Sequence, residues 1–333
     1  MSHIAVFGAG SWGTAFSTIL AGGGNDVRIW GRRQEVVDQI NAGVNEDYLP
    51  QTRLSERISA STDPEEVVGD AEIVVLSVPS QSLRDNLTGW APLLAGGDRV
   101  VVSLMKGVEL GTTKRMSEVI AEVGQVPTER IAVVSGPNLA REIVQQQPAA
   151  SVVACADVAS AERVAAACST DYFRPYTSAD IVGAEVGGAV KNVIALAVGM
   201  AEGMGLGDNT KASIITRGLA ETTRLGVALG ADPRTLSGLA GVGDLIATCM
   251  SPLSRNHAFG VSLGQGMTVE QVQAEKRQTA EGVKSCASIL ELARHHGVDV
   301  PITEQVNNAV NHGHSVQNMV RALLSRARKH ETD

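Results

Sequence analysis

Short runs of apolar and β-branched residues alternate with helical patterns along the first half of the chain. Several of these runs are apolar throughout, as strands buried on both faces of a parallel sheet are. Helical stretches such as Glu35–Ala42 and Ala161–Cys168 separate most of them, and this alternation predicts an α/β fold with a doubly wound sheet. The predicted strands are Ile4–Phe7, Asp26–Trp30, Ile58–Ser61, Ile73–Ser77, Val100–Ser103, Ile131–Ser135, Ala150–Cys155 and Tyr172–Tyr176.

The pattern changes near Asp180. From there to the end, Ala, Leu and Val recur at helical spacing and the strand signal is almost absent, with breaks at glycine-rich turns and at Asp232-Pro233. We predict a doubly wound sheet domain over residues 1–180 and an all-helical domain over residues 181–333. Ligands bind such sheets beyond the carboxyl ends of the strands, so we expect a site in the cleft between the two domains.

A G-x-G-x-x-G pattern formed by Gly8, Gly10 and Gly13 lies between the first predicted strand and the first helical pattern. Gly8 would allow a tight turn, Gly10 would let a pyrophosphate approach the backbone, and Gly13 would let the helix pack on the strand. The phosphates would lie on the free N–H groups at the positive end of that helix. A chain with 35 glycines produces chance matches, but the strand before and the helix after favour a Rossmann-like dinucleotide site.

The choice between NAD and NADP depends on the residues after the second predicted strand. An acid there binds the ribose 2′-hydroxyl of NAD, whereas an arginine suits the 2′-phosphate of NADP. After Trp30 the chain reads Gly31-Arg32-Arg33, with no acid at the strand end. We predict NADPH as the preferred cofactor, with NADH also accepted. The alternative is a solvated arginine pair at a helix start, where cations are mildly disfavoured.

Lys191 lies in the segment Val182–Met200, which is apolar or small nearly all round. A helix of this kind is buried, and burial lowers the pKa of a lysine, which suits it to proton transfer with an alcohol or carbonyl. The alternative is a structural lysine paired with a carboxylate such as Glu185 or Asp244, and the helix alone leaves both interpretations open. Asp244 follows the glycine-rich turn 238–243 and opens a helical pattern, where it could simply cap the helix.

Groups that suit an anion recur in several segments. The triplet Ser254-Arg255-Asn256 offers a hydroxyl, a forked guanidinium and an amide beside a predicted helix start near His257, which is a good anion site. Lys106 and the segment 135–138 each follow a strand end, where sheet proteins place functional groups. These groups predict a small anionic substrate such as a phosphate ester.

Composition excludes other classes of function. A net charge of −8 disfavours nucleic-acid and membrane partners. The four cysteines form no C-x-x-C and the seven histidines show no paired-ligand spacing, so idle thiols and no metal site are expected. The longest apolar stretch, Val186–Met204, contains Lys191 and Asn192 and is expected to fall short of a membrane span. No signal peptide is recognised, and a soluble cytoplasmic protein is expected.

Taken together, the motifs resemble those of the bacterial-type NAD(P)-dependent glycerol-3-phosphate dehydrogenases from one end of the chain to the other. The most specific are Thr216–Leu219 and Gly241–Leu245 combined with Ser254–Asn256. The other matching segments are Gly8–Ala15, Tyr48–Pro50, Val78–Gln81, Lys106-Gly107, Ser135–Pro137, Gly188–Asn192 and Gly205–Lys211.

The resemblance implies roles for particular residues, with Lys191 as the general acid/base. The implied substrate site consists of Lys106, Gly136, Asn138, Lys191, Asp244, Ser254, Arg255 and Asn256. The implied cofactor site consists of Gly8, Gly10, Ser11, Trp12, Gly13, Arg32, Arg33, Lys106, Ala140, Arg255, Thr279 and Glu281. Two places depart from the family pattern. Asn138 stands where Ser or Thr is common, and Val283-Lys284-Ser285 follows Glu281-Gly282 where a Thr is usual at the last place.

The implied activity is the reversible, NAD(P)H-dependent reduction of dihydroxyacetone phosphate to sn-glycerol 3-phosphate, without a metal, which would supply the glycerophospholipid backbone. The resemblance leaves a homodimer open. Two alternatives remain at this point. One is a related two-domain dehydrogenase that acts on a hydroxy acid, and the other is a catalytically silent regulator that binds NADPH.

Overall fold

Eight strands form one sheet in the first half of the chain. The computed structural model describes residues 2–275, 280–325 and 330. All eight predicted strands are present, each ending within two residues of the expected bounds. They are β1 His3–Phe7, β2 Asp26–Trp30, β3 Ile58–Ser61, β4 Ile73–Leu76, β5 Val100–Ser103, β6 Ile131–Ser135, β7 Ala149–Cys155 and β8 Phe173–Ser178.

The strands lie side by side in the order β3-β2-β1-β4-β5-β6-β7-β8. All neighbours are parallel except β6 and β7, which are antiparallel, so the expectation of a parallel sheet is correct for the first six strands and wrong at this one junction. The connection there contains only a five-residue helix. The strand order reverses between β1 and β4, and the crevice beyond their carboxyl ends is where sheets of this type bind ligands.

Helices cover both faces of the sheet, because alternate side chains of each inner strand point to opposite sides. In β1, Ile4 and Val6 belong to one apolar core, and Ala5 and Phe7 belong to the core on the other face, all fully buried. The doubly wound Rossmann-like prediction is therefore confirmed. The helices of this half are α1 Ser11–Gly22, α2 Gln34–Asn41, α3 Pro64–Val68, α4 Leu83–Ala95, α5 Met116–Gly124, α6 Ala140–Val144 and α7 Val158–Cys168.

After Ser178 the described residues contain helices and no strand, as predicted. The division into domains at residue 180 stays a prediction. The helices are α8 Ile181–Gly203, α9 Asp208–Ala228, α10 Pro233–Leu236, α11 Asp244–Met250, α12 Arg255–Gly264, α13 Val269–Glu275, α14 Glu281–His295, α15 Pro301–Asn311 and α16 Val316–Leu324. A short π-helical turn, Leu239–Gly243, precedes α11.

Helix α8 is the centre of the helical half, and residues 183–201 of it are all buried. Contrary to the sequence-based expectation, it is long and apolar enough to cross a membrane, but 89% of its most apolar window is buried inside the fold. It is therefore a core helix.

Glycines let two neighbouring segments approach the α8 backbone. A Cβ added to Gly199 would lie 2.1 Å from the carbonyl oxygen of His257 in α12, and one added to Gly260 would lie 2.2 Å from that of Leu196. A Cβ on Gly187 would lie 2.3 Å from the carbonyl oxygen of Ala240 in the π-helical turn. These contacts hold the starts of α11 and α12 against α8.

Candidate active site

The glycine turn after β1 has the close packing that the sequence predicts. Gly8 has φ +128°, and a Cβ there would lie 2.5 Å from the carbonyl oxygen of Ser77. A Cβ on Gly13 would lie 2.1 Å from the carbonyl oxygen of Gly8. Gly10 instead faces open space, with no atom within 4 Å of an added Cβ. It caps α1 without a side-chain hydrogen bond, so the N–H groups of the first turn suit an anion.

A loop over residues 45–48, of which the sequence analysis marked only Tyr48, is bonded to the glycine turn. Asn45 is fully buried, and its Nδ2 donates to the Ala9 carbonyl (3.1 Å) and to Thr14 Oγ1 (2.9 Å). Ser11 Oγ donates to the Tyr48 carbonyl (3.0 Å). No sequence pattern marked Asn45, because its partners lie more than 30 residues away on a different element.

Trp12 lies in the first turn of α1, and Ala140 begins a helix that packs on α1. The Trp12 ring packs at 5.7 Å from that of Phe16, and its buried Nε1 has no hydrogen-bond partner among the described residues. Ala140 is the first residue of α6, which contacts α1. The cofactor contacts of Ser11, Trp12 and Ala140 stay predictions.

The two arginines after β2 differ in their surroundings. Both are exposed, and no acid lies at the end of the strand. Arg33 Nη2 donates to Asp47 Oδ2 at 2.7 Å, and the guanidinium carbon lies 5.8 Å from the Tyr48 ring centroid. The hydrogen bond to Asp47 is the main reason why the pKa of Arg33 is raised. Arg33 thus has an anionic partner that the sequence did not reveal.

Lys191 is 7% exposed inside α8. Its Nζ donates to Asp244 Oδ1 and to Thr248 Oγ1 at 2.7 Å. Desolvation lowers the pKa of Lys191 to about 7, although the Asp244 charge opposes this change, and nearby Lys106 lowers the pKa further. Lys191 is therefore buried with a lowered pKa and also paired with a carboxylate, so the two interpretations left open by the sequence are both part of one arrangement.

Asp244 joins the two lysines. It is 1% exposed, and its other oxygen, Oδ2, accepts from Lys106 Nζ at 2.6 Å. The capping alternative for this residue is wrong, because Gly243 is the N-cap of α11 and Asp244 is its first helical residue. Thr248 was missed from the sequence, although its position four residues after Asp244 on a helix was a usable signal.

Lys106 also connects the cluster to the end of β6. Its Nζ donates to the Gly136 carbonyl at 3.0 Å. Asn138 Nδ2 donates to Ser151 Oγ at 3.1 Å, while its buried Oδ1 and the buried hydroxyl of Ser135 have no hydrogen-bond partner among the described residues. The Asn138 amide is thus held by the sheet, and its contact with a substrate stays a prediction.

The predicted anion triplet lies at the start of α12. Ser254 is the N-cap and accepts from the His257 N–H at 3.2 Å, so the helix begins at Arg255, two residues earlier than expected. The Arg255 side chain is exposed, and the charge of Glu281 acts to raise the pKa of its guanidinium. Arg255 makes no side-chain hydrogen bond with any described residue, which leaves its donors to a ligand.

Asn256 and Asn192 connect three helices beside the lysines. Asn256 Nδ2 donates to Asn192 Oδ1 (2.9 Å), and Asn256 Oδ1 accepts from the Gly282 N–H (2.9 Å). Asn192 Nδ2 donates to the Lys106 carbonyl at 3.3 Å. The Asn256 amide is thus bonded to protein at both ends, and its role toward a substrate stays a prediction.

Glu281 begins α14 and contacts the turn that follows β4. Its Oε2 accepts from Ser80 Oγ at 2.7 Å. Thr279, the other residue expected in this cofactor loop, lies outside the described residues. Ser285, where the chain departs from the family pattern, is buried and its hydroxyl has no hydrogen-bond partner among the described residues.

The four cysteines lie in the apolar interior. All four are free and buried, and desolvation raises the pKa of Cys168 and of Cys249 to about 12. Within residues 2–275, 280–325 and 330, no group of three His, Cys, Asp or Glu residues could hold a metal ion.

The structure brings the predicted residues together in two groups. Direct hydrogen bonds link Lys106, Gly136, Asp244 and Lys191, and helix packing and the Asn192 bridge attach the 254–256 triplet to them. The second group is the glycine turn with Arg32 and Arg33, to which the 45–48 loop is bonded. The first group therefore has side chains that can exchange protons and bind anions, and the second has the backbone that dinucleotide phosphates need.

Two family models match the chain. The N-terminal model of NAD-dependent glycerol-3-phosphate dehydrogenase matches residues 3–161, and its C-terminal counterpart matches residues 180–321. The chain is 63% identical to the glycerol-3-phosphate dehydrogenase (NAD(P)+) of Streptomyces coelicolor over 98% of this chain and 97% of that protein. It is 59% identical to that of Thermobifida fusca over 99% of each chain.

Solved structures show the same likeness. The crystal structure of glycerol-3-phosphate dehydrogenase from Coxiella burnetii matches with a TM-score of 0.92 and 36% identity, over 98% of this chain and 99% of that one. A D-mandelate dehydrogenase matches with a TM-score of 0.62 at 16% identity, which shows a shared fold alone.

Proposed function

The chain belongs to the NAD-dependent glycerol-3-phosphate dehydrogenase family, and we propose that Lys191 is the general acid/base of its reaction. The reaction is the reversible, NAD(P)H-dependent reduction of dihydroxyacetone phosphate to sn-glycerol 3-phosphate. The observation that carries the proposal is the buried Nζ of Lys191, which lies beside Asp244 and Thr248 with a pKa of about 7. Family membership removes both alternatives, the hydroxy-acid dehydrogenase and the silent regulator.

The glycine turn fits a nicotinamide dinucleotide. The open space at Gly10 and the uncapped first turn of α1 would receive the pyrophosphate. Ser11, Trp12, Ala140 and Glu281 would complete the cofactor site, together with Gly8, Gly13 and Lys106. When bound, the reduced nicotinamide supplies a hydride to C2 of the substrate.

Lys191 would hold the proton that the carbonyl oxygen of the substrate needs. As negative charge develops on that oxygen, the ammonium group stabilises it and transfers a proton to it. In the reverse direction the neutral amine accepts the hydroxyl proton. A pKa of about 7 allows both states near neutral pH, and Asp244 and Thr248 fix the direction of Nζ.

Arg255 would bind the phosphate of the substrate. Its guanidinium has no hydrogen-bond partner among the described residues, and Ser254 places it at the positive end of α12. Lys106 adds a second positive charge. Gly136, Asn138 and Asn256 would line the substrate site. Holding the end of the substrate that does not react fixes C2 relative to the nicotinamide.

The two arginines after β2 support a preference for NADPH. Arg32 is exposed and has no ion pair among the described residues, so its donors can meet a 2′-phosphate. A cytoplasmic location is part of the proposal, and it is supported by four free cysteines, which suit a reducing compartment. A homodimer stays a prediction.

The test is NADPH consumption with dihydroxyacetone phosphate for the wild type and Lys191→Ala. We expect kcat to fall by about 10³-fold, within the usual contribution of a general acid/base, with little change in NADPH affinity. Lys114→Ala removes a half-exposed lysine that pairs with Glu122, and it should keep full activity. Turnover of Lys191→Ala within tenfold of the wild type would remove this lysine from the mechanism.

A second arm tests the substrate. Dihydroxyacetone phosphate is compared with 2-keto acids that carry a carboxylate in place of the phosphate. We expect turnover only with the phosphate ester, and Arg255→Ala should raise its KM by at least about tenfold, because the loss of a charge-assisted bidentate contact is costly. Comparable turnover of a keto acid would contradict the substrate assignment.

A further inference from the structure

The site proposed for the 2′-phosphate contains a carboxylate as well as arginines. Arg33 Nη2 lies 2.7 Å from Asp47 Oδ2, and the guanidinium also lies over the Tyr48 ring. The side chains of Arg33 and Asp47 are 47% and 38% exposed, so a cofactor can reach both. Arg33 is therefore already paired with a carboxylate of the protein itself.

Asp47 is held in this place by the loop that carries it. On one side, buried Asn45 donates to the Ala9 carbonyl and to Thr14 Oγ1. On the other side, the Tyr48 carbonyl accepts from Ser11 Oγ. The 45–48 loop is thus bonded to the glycine turn before and after Asp47, which keeps the carboxylate beside Arg33.

We propose that Asp47 sets the ratio of NADPH to NADH use, because a 2′-phosphate must share or displace this carboxylate at Arg33. The inference rests on the proposed placement of the 2′-phosphate at Arg32 and Arg33. A 2′-phosphate carries close to two negative charges and is repelled by Asp47, whereas the 2′-hydroxyl of NADH is neutral. Asp47 therefore weakens NADPH selectively, which keeps both cofactors usable.

The experiment compares the wild type with Asp47→Asn, which keeps the size of the side chain and removes its charge. Binding of adenosine 2′,5′-bisphosphate and of 5′-AMP is measured by calorimetry, so that activity does not enter. We expect the bisphosphate to bind about two- to fivefold more tightly to the variant, as the loss of one exposed charge interaction allows, and 5′-AMP to bind equally well to both. The gain should shrink in 0.5 M salt, because exposed charges are screened (about 10 Å Debye length at 0.1 M).

Steady-state kinetics give a second readout. In Asp47→Asn, KM for NADPH should fall by the same factor while its kcat and both constants for NADH stay unchanged. Glu56→Gln is the matched control, because it removes one negative charge from an exposed side chain elsewhere on the surface. It should change none of these quantities.

Several results would overturn the inference. Unchanged or weaker bisphosphate binding in Asp47→Asn would show that Asp47 orients Arg33 or is idle, and an equal gain for 5′-AMP or in Glu56→Gln would show a general charge effect. Arg32→Ala and Arg33→Ala separate this failure from that of the proposed function. If those variants weaken the bisphosphate but Asp47→Asn does not tighten it, only the role of Asp47 fails. If they leave it unchanged, the 2′-phosphate site fails as well.

Discussion

The glycine turn and the lysine cluster are built in different ways. The glycine turn is formed by consecutive residues, 8–13, and its chemistry comes from backbone N–H groups. The lysine cluster is assembled from residues 106, 136, 191 and 244, which lie on four separate segments, and its chemistry comes from side chains. A local motif determines its own geometry, whereas a dispersed site depends on the packing of the helices that carry it. Substitutions in these two groups should therefore have different effects on stability and activity.

The largest effect that follows from this comparison is expected for Asp244→Asn. The change keeps the shape of the side chain but leaves Lys106 and Lys191 next to each other without their shared negative charge. We expect the pKa of Lys191 to fall further and kcat for dihydroxyacetone phosphate to drop by about 10²-fold or more. Because a buried charge partner is lost, unfolding free energy should also fall, by about 3–5 kcal/mol at most.

Asp208→Asn is the control for this variant. Asp208 also pairs with a lysine, Lys211, but its side chain is 92% exposed. Denaturant unfolding and steady-state kinetics should show no change outside error for the control. If Asp244→Asn behaved like the control in both measurements, the proposal that Lys106 and Lys191 depend on the Asp244 carboxylate would be contradicted.

A smaller effect separates two glycines of the turn. In Gly13→Ala the new methyl group would lie 2.1 Å from a backbone oxygen, so we expect a loss of stability of about 1–3 kcal/mol as well as weaker NADPH binding. In Gly10→Ala the methyl group points into open space. That variant should lose less stability, about 0.5–1 kcal/mol because alanine is a poorer N-cap than glycine, and it should lose cofactor affinity.

Thermal unfolding and fluorescence titration with NADPH measure the two quantities separately. Unchanged NADPH affinity in Gly10→Ala would contradict the pyrophosphate placement, and equal destabilisation of the two variants would contradict the packing described for Gly13.

The same difference explains what could be predicted from the sequence. The strands and the glycine turn were predictable, because periodicity and a motif of six residues report local structure. The burial of Lys191 was also predictable from the apolar residues around it on the same helix. Its pairing with Asp244 could be named only as one of several possible carboxylate pairs, because 53 residues separate Lys191 from Asp244 and the packing of their helices decides the contact. The antiparallel pairing of β7 with β6 was missed because a run of apolar residues does not indicate the direction of its strand.

Residues that support the site from other elements were the hardest to find. Asn45 and Asp47 lie in an irregular loop, and their partners are in the glycine turn and after β2. Thr248 was the exception, because its spacing from Asp244 placed both on one face of α11. Charge, motif and period identified which residues carry the chemistry, and only the fold identified which residues hold them.

A buried acid complicates any pH measurement on this protein. Burial raises the pKa of Glu221 to about 7, although the N–H groups of Ile302 and Thr303 oppose this change. Because this folded pKa lies above the unfolded value, Glu221 favours the folded state more strongly as the pH falls from about 7 toward the ordinary value. It lies at the contact of α9 with α15, so Glu221→Gln is the control that removes its titration without touching the lysine cluster.

The most direct test of the account is the pH dependence of kcat/KM in both directions, in the wild type and in Glu221→Gln. Reduction of dihydroxyacetone phosphate needs protonated Lys191, so its kcat/KM should be constant at low pH and fall up to tenfold per unit above a pKa of about 7. Oxidation of sn-glycerol 3-phosphate needs the neutral amine and should rise through the same pH. Profiles without a break between pH 6 and 9, or a break that disappears in Glu221→Gln, would contradict a buried lysine as the acid/base.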